Sequence, residues 1–140
     1  MKAIKIREVM TSPVLTLDVE TPLSRVAEMM DLHHIRHLPV MEVGRLTGII
    51  TKNDLFRLVP TRVREEGHYF DPDELNRFVL RHVMTRDPVT VQPDDLLLHA
   101  VGIMMIEKFG VLPVIDGERH VVGIVSQIDI LRLLHRVLAH

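Results

Sequence analysis

The sequence predicts an α+β fold of two β-α-β-β-α repeats packed about a pseudo-twofold axis. Three observations carry that prediction. The stretch GIITKND, Gly48 to Asp54, returns as GIVSQID, Gly123 to Asp129. The flanking signals return in the same order: VMTSPVLTL at 9–17 answers VMTRDPVTV at 83–91, and HLPV at 37–40 answers VLPV at 111–114. Helix-spaced apolar stripes stand at matching places, with Leu23 answered by Leu97 and Met30 by Met104. Ordered agreement of this kind marks a duplication. One extra residue in the second copy, within IDGERHVV, brings Gly48 onto Gly123 and Asp54 onto Asp129.

Each element follows from local chemistry. PVLTL and DPVTV are short, rich in β-branched residues and bounded by proline, so they read as first strands. Leu23, Val26, Ala27 and Met30 fall at i, i+3, i+4 and i+7, one stripe of a helix; Leu97, Ala100, Val101 and Met104 repeat it. LPVME and LPVID are second strands, and LTGIIT and VVGIVS are third strands. The turns around Gly44 and Gly117 are short enough for hairpins. NDLFRLV and IDILRLLHRVL are closing helices. The segment from Pro60 to His82 lies outside the repeat. Its FDPDELNRFVLRHV predicts one lead-in helix, with Asp71 at the N-cap and Pro72 at the first helical position. AIKIREVM is expected to lead into the first copy in the same way. The division is therefore repeat one over 1–60, linker and lead-in helix over 61–82, and repeat two over 83–140. One such unit is small for a stable core, which explains the doubling.

Composition narrows the function. The chain has 140 residues, 46% apolar and 26% charged, with a formal net charge of −2 and no cysteine. The charge argues against a protein that coats nucleic acid, which needs a basic face. Without cysteine there is no disulfide framework, thiol nucleophile or zinc-thiolate site. MKAIKIREVM lacks the apolar core of a signal peptide, and no apolar run approaches the roughly 20 residues of a membrane span. The expected location is the cytoplasm, away from membranes.

The repeated heptad admits two physical readings. Thr51 and Ser126 stand where a strand ends and a helix begins, with Asp54 and Asp129 three residues on. That is the spacing of a capping box, which needs no ligand. The same geometry offers backbone N–H groups at a helix N-terminus to a phosphate. The aspartate beside it would then accept from the adjacent hydroxyls of a sugar. Phosphate site, diol acceptor and apolar strand neighbours together describe a nucleoside-phosphate pocket.

The wider pattern, VMT…PVLTL…LSRVAEMM…HLPV…LTGIITKNDL with its second copy, resembles a tandem pair of cystathionine-β-synthase (CBS) domains, a Bateman module. The resemblance covers nearly the whole chain outside 60–82. Length and layout are similar to small stand-alone modules of the acetoin-utilisation B type. The resemblance implies a regulatory module, not an enzyme, that binds an adenine nucleotide (AMP, ADP or ATP) in clefts between the copies and signals to a regulated protein. S-adenosylmethionine or NAD are alternative ligands, and a ligand-free dimerisation module is the alternative role. It implies a ribose role for Asp54 and Asp129 and a phosphate or ribose-side role for Thr51 and Ser126. It places Thr11 and Thr85 around the base, with Val14, Leu15 and Thr16 and with Pro88, Val89 and Thr90. Ile49, Ile50, Ile124 and Val125 would pack beside the pocket.

The two sites are expected to be unequal. Arg36 and His37 in copy one stand where Gly110 and Val111 stand in copy two. In the resembling family this position faces ligand phosphates. A crossing carried over from the family would put Arg36 and His37 with Ser126 and Asp129, and leave Thr51 and Asp54 facing an apolar partner. His37 would titrate near neutrality, weakening that site as pH rises.

Other chemistry is sparse. His33 and His37 have helical i, i+4 spacing beside His34, but no acidic residue completes a set and Pro39 ends the helix, so no metal is expected. TRVREEGH reads as a solvated charge run, and no serine sits in a nucleophile-elbow pattern. LLLHAVGIMMI, 96–106, is apolar almost all round, and the last helix is similar. Such helices need burial on more than one face, which predicts a homodimer through them.

Overall fold

A computed structural model describes residues 3–140, and the α+β repeats are present in it. The chain forms two compact units. One is Leu15–Asp87; the other joins the segment ending at Val14 to Pro88–His140. The lead-in of each repeat therefore packs with the other repeat.

In the unit Leu15–Asp87 the elements are β1 (Leu17–Asp18), α1 (Leu23–His33), β2 (His37–Glu42), β3 (Arg45–Thr51), α2 (Lys52–Leu58), β4 (Arg62–Arg64), β5 (Gly67–Tyr69), α3 (Pro72–Leu75), α4 (Leu80–Val83) and β6 (Thr85–Arg86). Strands β1-β2-β3-β6 form one sheet, with β1 parallel to β2 and the other pairs antiparallel. The β2–β3 turn places Val43 and Gly44 at φ 50° and 77°, a tight turn in which both central residues are left-handed. The predicted stripe of α1 is its buried face: Leu23, Val26, Ala27 and Met30 close on Leu38, Val40, Ile50 and Leu55.

The second unit repeats the plan with α5 (Leu97–Glu107), β7 (Val111–Ile115), β8 (Val121–Ser126) and α6 (Gln127–Leu138). Its core gathers Ala100, Met104, Leu112, Val114 and Val125 around Ile6, which comes from the start of the chain and is wholly buried. Ile6 N–H donates to the Asp95 carbonyl at 2.9 Å, and Leu97 N–H donates to the Ile4 carbonyl at 2.8 Å. AIKIREVM thus leads into repeat one along the sequence but is built into the core with repeat two.

Two expectations need correction. PVLTL and DPVTV do not form full strands. Only Leu17 of the first lies in β1, and only Val91 of the second bridges, to Val114. The residues before them carry the chain between units and include Pro13 and Pro88, which have no N–H for a ladder. The single lead-in helix is two short helices, α3 and α4. Asp71 does cap α3, accepting from Asp73 N–H at 2.9 Å. The break falls at Asn76, whose side chain is committed elsewhere: its Oδ1 accepts from Ser24 N–H at 3.0 Å and its Nδ2 donates to Ser24 Oγ at 2.9 Å. Pro22, the N-cap of α1, has no side-chain acceptor, so Asn76 supplies the cap from 52 residues away. TRVREEGH is exposed over 62–68, as expected of a solvated charge run, and it also takes a regular form. It holds the β4–β5 hairpin, turning through Gly67 at φ 117°, with the Arg64 guanidinium 3.7 Å from the Tyr69 ring centre.

Candidate functional site

Both repeated heptads end a strand and start a helix in the same way. In the first, Asp54 N–H donates to Thr51 Oγ1 at 3.2 Å, and Thr51 N–H donates to Asp54 Oδ2 at 2.8 Å. In the second, Asp129 N–H donates to Ser126 Oγ at 3.2 Å, and Ser126 N–H donates to Asp129 Oδ2 at 2.8 Å. The capping box is therefore real in both copies. It occupies one carboxylate oxygen and leaves Oδ1 of each aspartate facing other partners. The capping and ligand readings consequently coexist.

The heptad's leading glycines have a structural task. A Cβ on Gly48 would stand 2.5 Å from Met84 Sδ and 2.9 Å from the Thr85 carbonyl oxygen. A Cβ on Gly123 would stand 2.6 Å from Met10 Sδ and 3.2 Å from the Thr11 carbonyl oxygen. The missing side chain lets the Met-Thr lead-in lie against the third strand of each unit. Thr85 pairs with Ile49 in β6, and Thr11 exchanges backbone hydrogen bonds of 2.8 and 3.0 Å with Ile124. This brings Thr11 to the Ser126–Asp129 turn, where its hydroxyl donates to Asp129 Oδ1 at 3.1 Å.

The two turns differ in their neighbours. His37 lies opposite Thr51 in the β2–β3 ladder, and Val111 lies opposite Ser126 in the β7–β8 ladder. Thr51 therefore has a basic ladder neighbour from its own repeat, and Ser126 an apolar one. Burial, reinforced by the Arg36 guanidinium, holds the His37 pKa below the ordinary histidine value, and Asp54 only partly offsets this. Arg36 is the permanent cation of this pair.

Of the other expected residues, Ile50 and Val125 are core, Ile49 is buried and Ile124 half-buried. Leu15, Thr16, Val89 and Thr90 lie where the chain passes from one unit to the other and hydrogen-bond to neither turn; Leu15 and Val89 are 41% and 42% exposed. Helix α1 ends at His33, and His34 turns left-handed at φ 53°, so the i, i+4 relation of His33 to His37 is lost. Among the described residues no cluster of three or more His, Asp or Glu side chains suits a metal. No helix there is long and apolar enough to cross a membrane.

Sequence reasoning missed two arginines. Arg57 reaches Asp54 Oδ1 at 3.3 Å and Arg132 stands 3.9 Å from Asp129 Oδ1, each three residues past its aspartate. Their shared repeat position was a readable signal. Beside Asp54 a groove of about 410 Å³ is lined by Arg57, Arg77, Phe78 and His82; the break between α3 and α4, which creates it, had no sequence signal.

The CBS domain family model matches residues 6–61 and again 80–136. The crystal structure of the CBS domain pair of protein MJ0100, in complex with 5′-methylthioadenosine and S-adenosyl-L-methionine, superposes with a TM-score of 0.81 and 26% identity, covering 97% of this chain and 99% of that one. A structure described as an acetoin utilization protein (AcuB) from Vibrio cholerae gives a TM-score of 0.79 and 26% identity over 99% of this chain and 95% of that one. A CBS domain-containing protein of Dictyostelium discoideum is 28% identical over 134 residues, 95% of this chain and 92% of its own. Several other curated relatives are longer, and the chain spans between 20% and 44% of them.

Proposed function

The chain belongs to the CBS domain family, as a pair of repeats, and on that premise we propose that it is a regulatory module that senses adenosine ligands at its two hydroxyl–aspartate turns. The observation that carries this is the second carboxylate oxygen. Each capping box uses Oδ2 of its aspartate and leaves Oδ1 as an acceptor beside a helix N-terminus. A vicinal diol matches such a carboxylate, and a phosphate matches the N–H groups. The MJ0100 pair, similar along its length, is a complex with two adenosine compounds. Arg36 beside the first turn favours a ligand carrying phosphate, so AMP, ADP and ATP are the first candidates, with S-adenosylmethionine and NAD as alternatives.

The reading includes a non-catalytic role in the cytoplasm, where nucleotide levels vary, and a regulated protein partner. It also includes a homodimer. On α5, Leu98, Met105 and Ile106 are 78%, 73% and 79% exposed, and on α6 Leu131, Leu134, Val137 and Leu138 are exposed as well. Apolar helix faces of that extent favour burial against a second copy. A ligand-free dimerisation module is the second reading, and the complete capping boxes favour it.

Thermal shift with AMP, ATP, NAD and S-adenosylmethionine separates the two. A ligand at a hundred times its dissociation constant adds about 2.7 kcal/mol, roughly 5–10 °C of melting temperature for a chain of this size. No shift with any of the four at millimolar concentration supports the ligand-free reading.

A further inference from the structure

We propose that Thr11 is an internal latch on the second site: its hydroxyl already donates to the carboxylate oxygen that a ligand's diol would use, so the two compete, the Asp54 site fills first and the Asp129 site fills at higher ligand concentration as the latch is displaced. The inference rests on the adenosine-sensing reading above and adds an order of filling.

Asp129 is the one charged residue fully buried among those described, 6% exposed. A buried carboxylate requires its acceptor positions to be filled. Its Oδ2 accepts from Ser126 N–H at 2.8 Å and from the Ser126 hydroxyl at 3.0 Å. Its Oδ1 accepts from the Thr11 hydroxyl at 3.1 Å. Arg132, at 3.9 Å, is too far to hydrogen-bond. The Thr11 backbone is pinned on both sides to Ile124, which holds the hydroxyl in place.

The first site lacks this closure. Thr85 has the same repeat position and pairs with the corresponding strand, β3, yet among the bonds of the described residues none joins its hydroxyl to Asp54. Among the described residues, Oδ1 of Asp54 accepts only from Arg57, at 3.3 Å, whose side chain is 76% exposed and withdraws at little cost. A diol donating to Asp54 thus displaces a solvated arginine tip. A diol donating to Asp129 competes at Oδ1 with a part-buried hydroxyl–carboxylate bond that the pinned Thr11 backbone holds in place. Displacement also removes a tie on the lead-in segment that carries Thr11. The second site is therefore tuned to higher ligand concentration and coupled to the position of that segment.

The test measures adenosine and AMP binding by calorimetry in the Asp54→Asn background, where the Asp129 site is left to report alone. Thr11→Val keeps the shape of the side chain and removes the hydroxyl. Binding about ten-fold tighter in Thr11→Val/Asp54→Asn than in Asp54→Asn is expected. Unchanged or weaker binding overturns the latch, and weaker binding makes Thr11 a ligand contact. A ligand-independent comparison stands beside it: Thr11→Val melts at lower temperature than Thr85→Val, because only Thr11 bonds a carboxylate, and equal melting overturns the proposal. Binding by wild type with no gain in Thr11→Val refutes the latch alone, whereas no binding by wild type or any variant refutes the sensing reading and the latch with it.

Discussion

Replacing Gly48 by alanine tests why the repeated heptad begins with glycine. The added Cβ would sit 2.5 Å from Met84 Sδ, 3.0 Å from Met84 Cγ and 2.9 Å from the Thr85 carbonyl oxygen. The methionine tip can rotate away. The carbonyl cannot, because it belongs to β6, whose ladder sets Gly48 against Arg86 and Ile49 against Thr85. Restoring ordinary contact needs a retreat of about half an ångström by backbone. Overpacking of this kind costs about 1–3 kcal/mol. Alanine also restricts the unfolded chain, returning about 0.4–1 kcal/mol. The net loss for Gly48→Ala is therefore roughly 0.5–2 kcal/mol. The matched variant Gly123→Ala meets its nearest carbonyl at 3.2 Å and a rotatable Met10, so its clash is smaller and its net change is near zero. Chemical denaturation of both variants reads the difference. Hydrogen exchange at Asp87, whose N–H donates to the Thr47 carbonyl at 3.2 Å, reports whether β6 has detached. A Gly48→Ala protein as stable as wild type, or a larger loss in Gly123→Ala, would refute this account of the glycines.

Met105→Arg with Leu134→Arg places charge in the exposed faces of α5 and α6 and shifts the protein from dimer to monomer by light scattering; a wild-type monomer at micromolar concentration contradicts the dimer. His37 has a folded-state pKa below its unfolded value, so the unfolded chain binds the extra proton and stability is lost as pH falls below about 6.5; His37→Gln should flatten that acid-side fall, and an unchanged pH profile contradicts it. Arg36→Ala should weaken ATP about ten-fold and leave adenosine unaffected if the guanidinium meets phosphate; equal losses for both ligands remove that role.

Much of this was readable before the structure because duplication writes each signal twice. The stripes of α1 and α5, the strands around Leu-Pro-Val and the helix starts at Thr51 and Ser126 all rest on local periodicity or capping, and each appears where expected. What was not readable depends on long-range contact. Nothing local to AIKIREVM says that Ile6 is buried with Leu112 and Val125 rather than with its own repeat. Nothing local to FDPDELNRFVLRHV says that Asn76 is drawn off to cap α1. At the site, the Thr-x-x-Asp and Ser-x-x-Asp pairs were visible as motifs, and the unlike partners His37 and Val111 were visible as residues. Their placement opposite the hydroxyls came from strand register, and the Thr11–Asp129 bond came from a contact across 118 residues.

The central claim is that Asp54 and Asp129 accept the ribose diol of an adenosine ligand. Calorimetry of wild type and of the Asp54→Asn/Asp129→Asn double variant, each with adenosine and with 2′,3′-dideoxyadenosine, tests it most directly. Asparagine keeps an acceptor for the capping N–H and removes the charge. Wild type should prefer adenosine at least about ten-fold, the loss expected for hydrogen bonds to a charged group, and the double variant should show little preference. Equal affinity of wild type for the two nucleosides, or the same preference in the double variant, contradicts the claim.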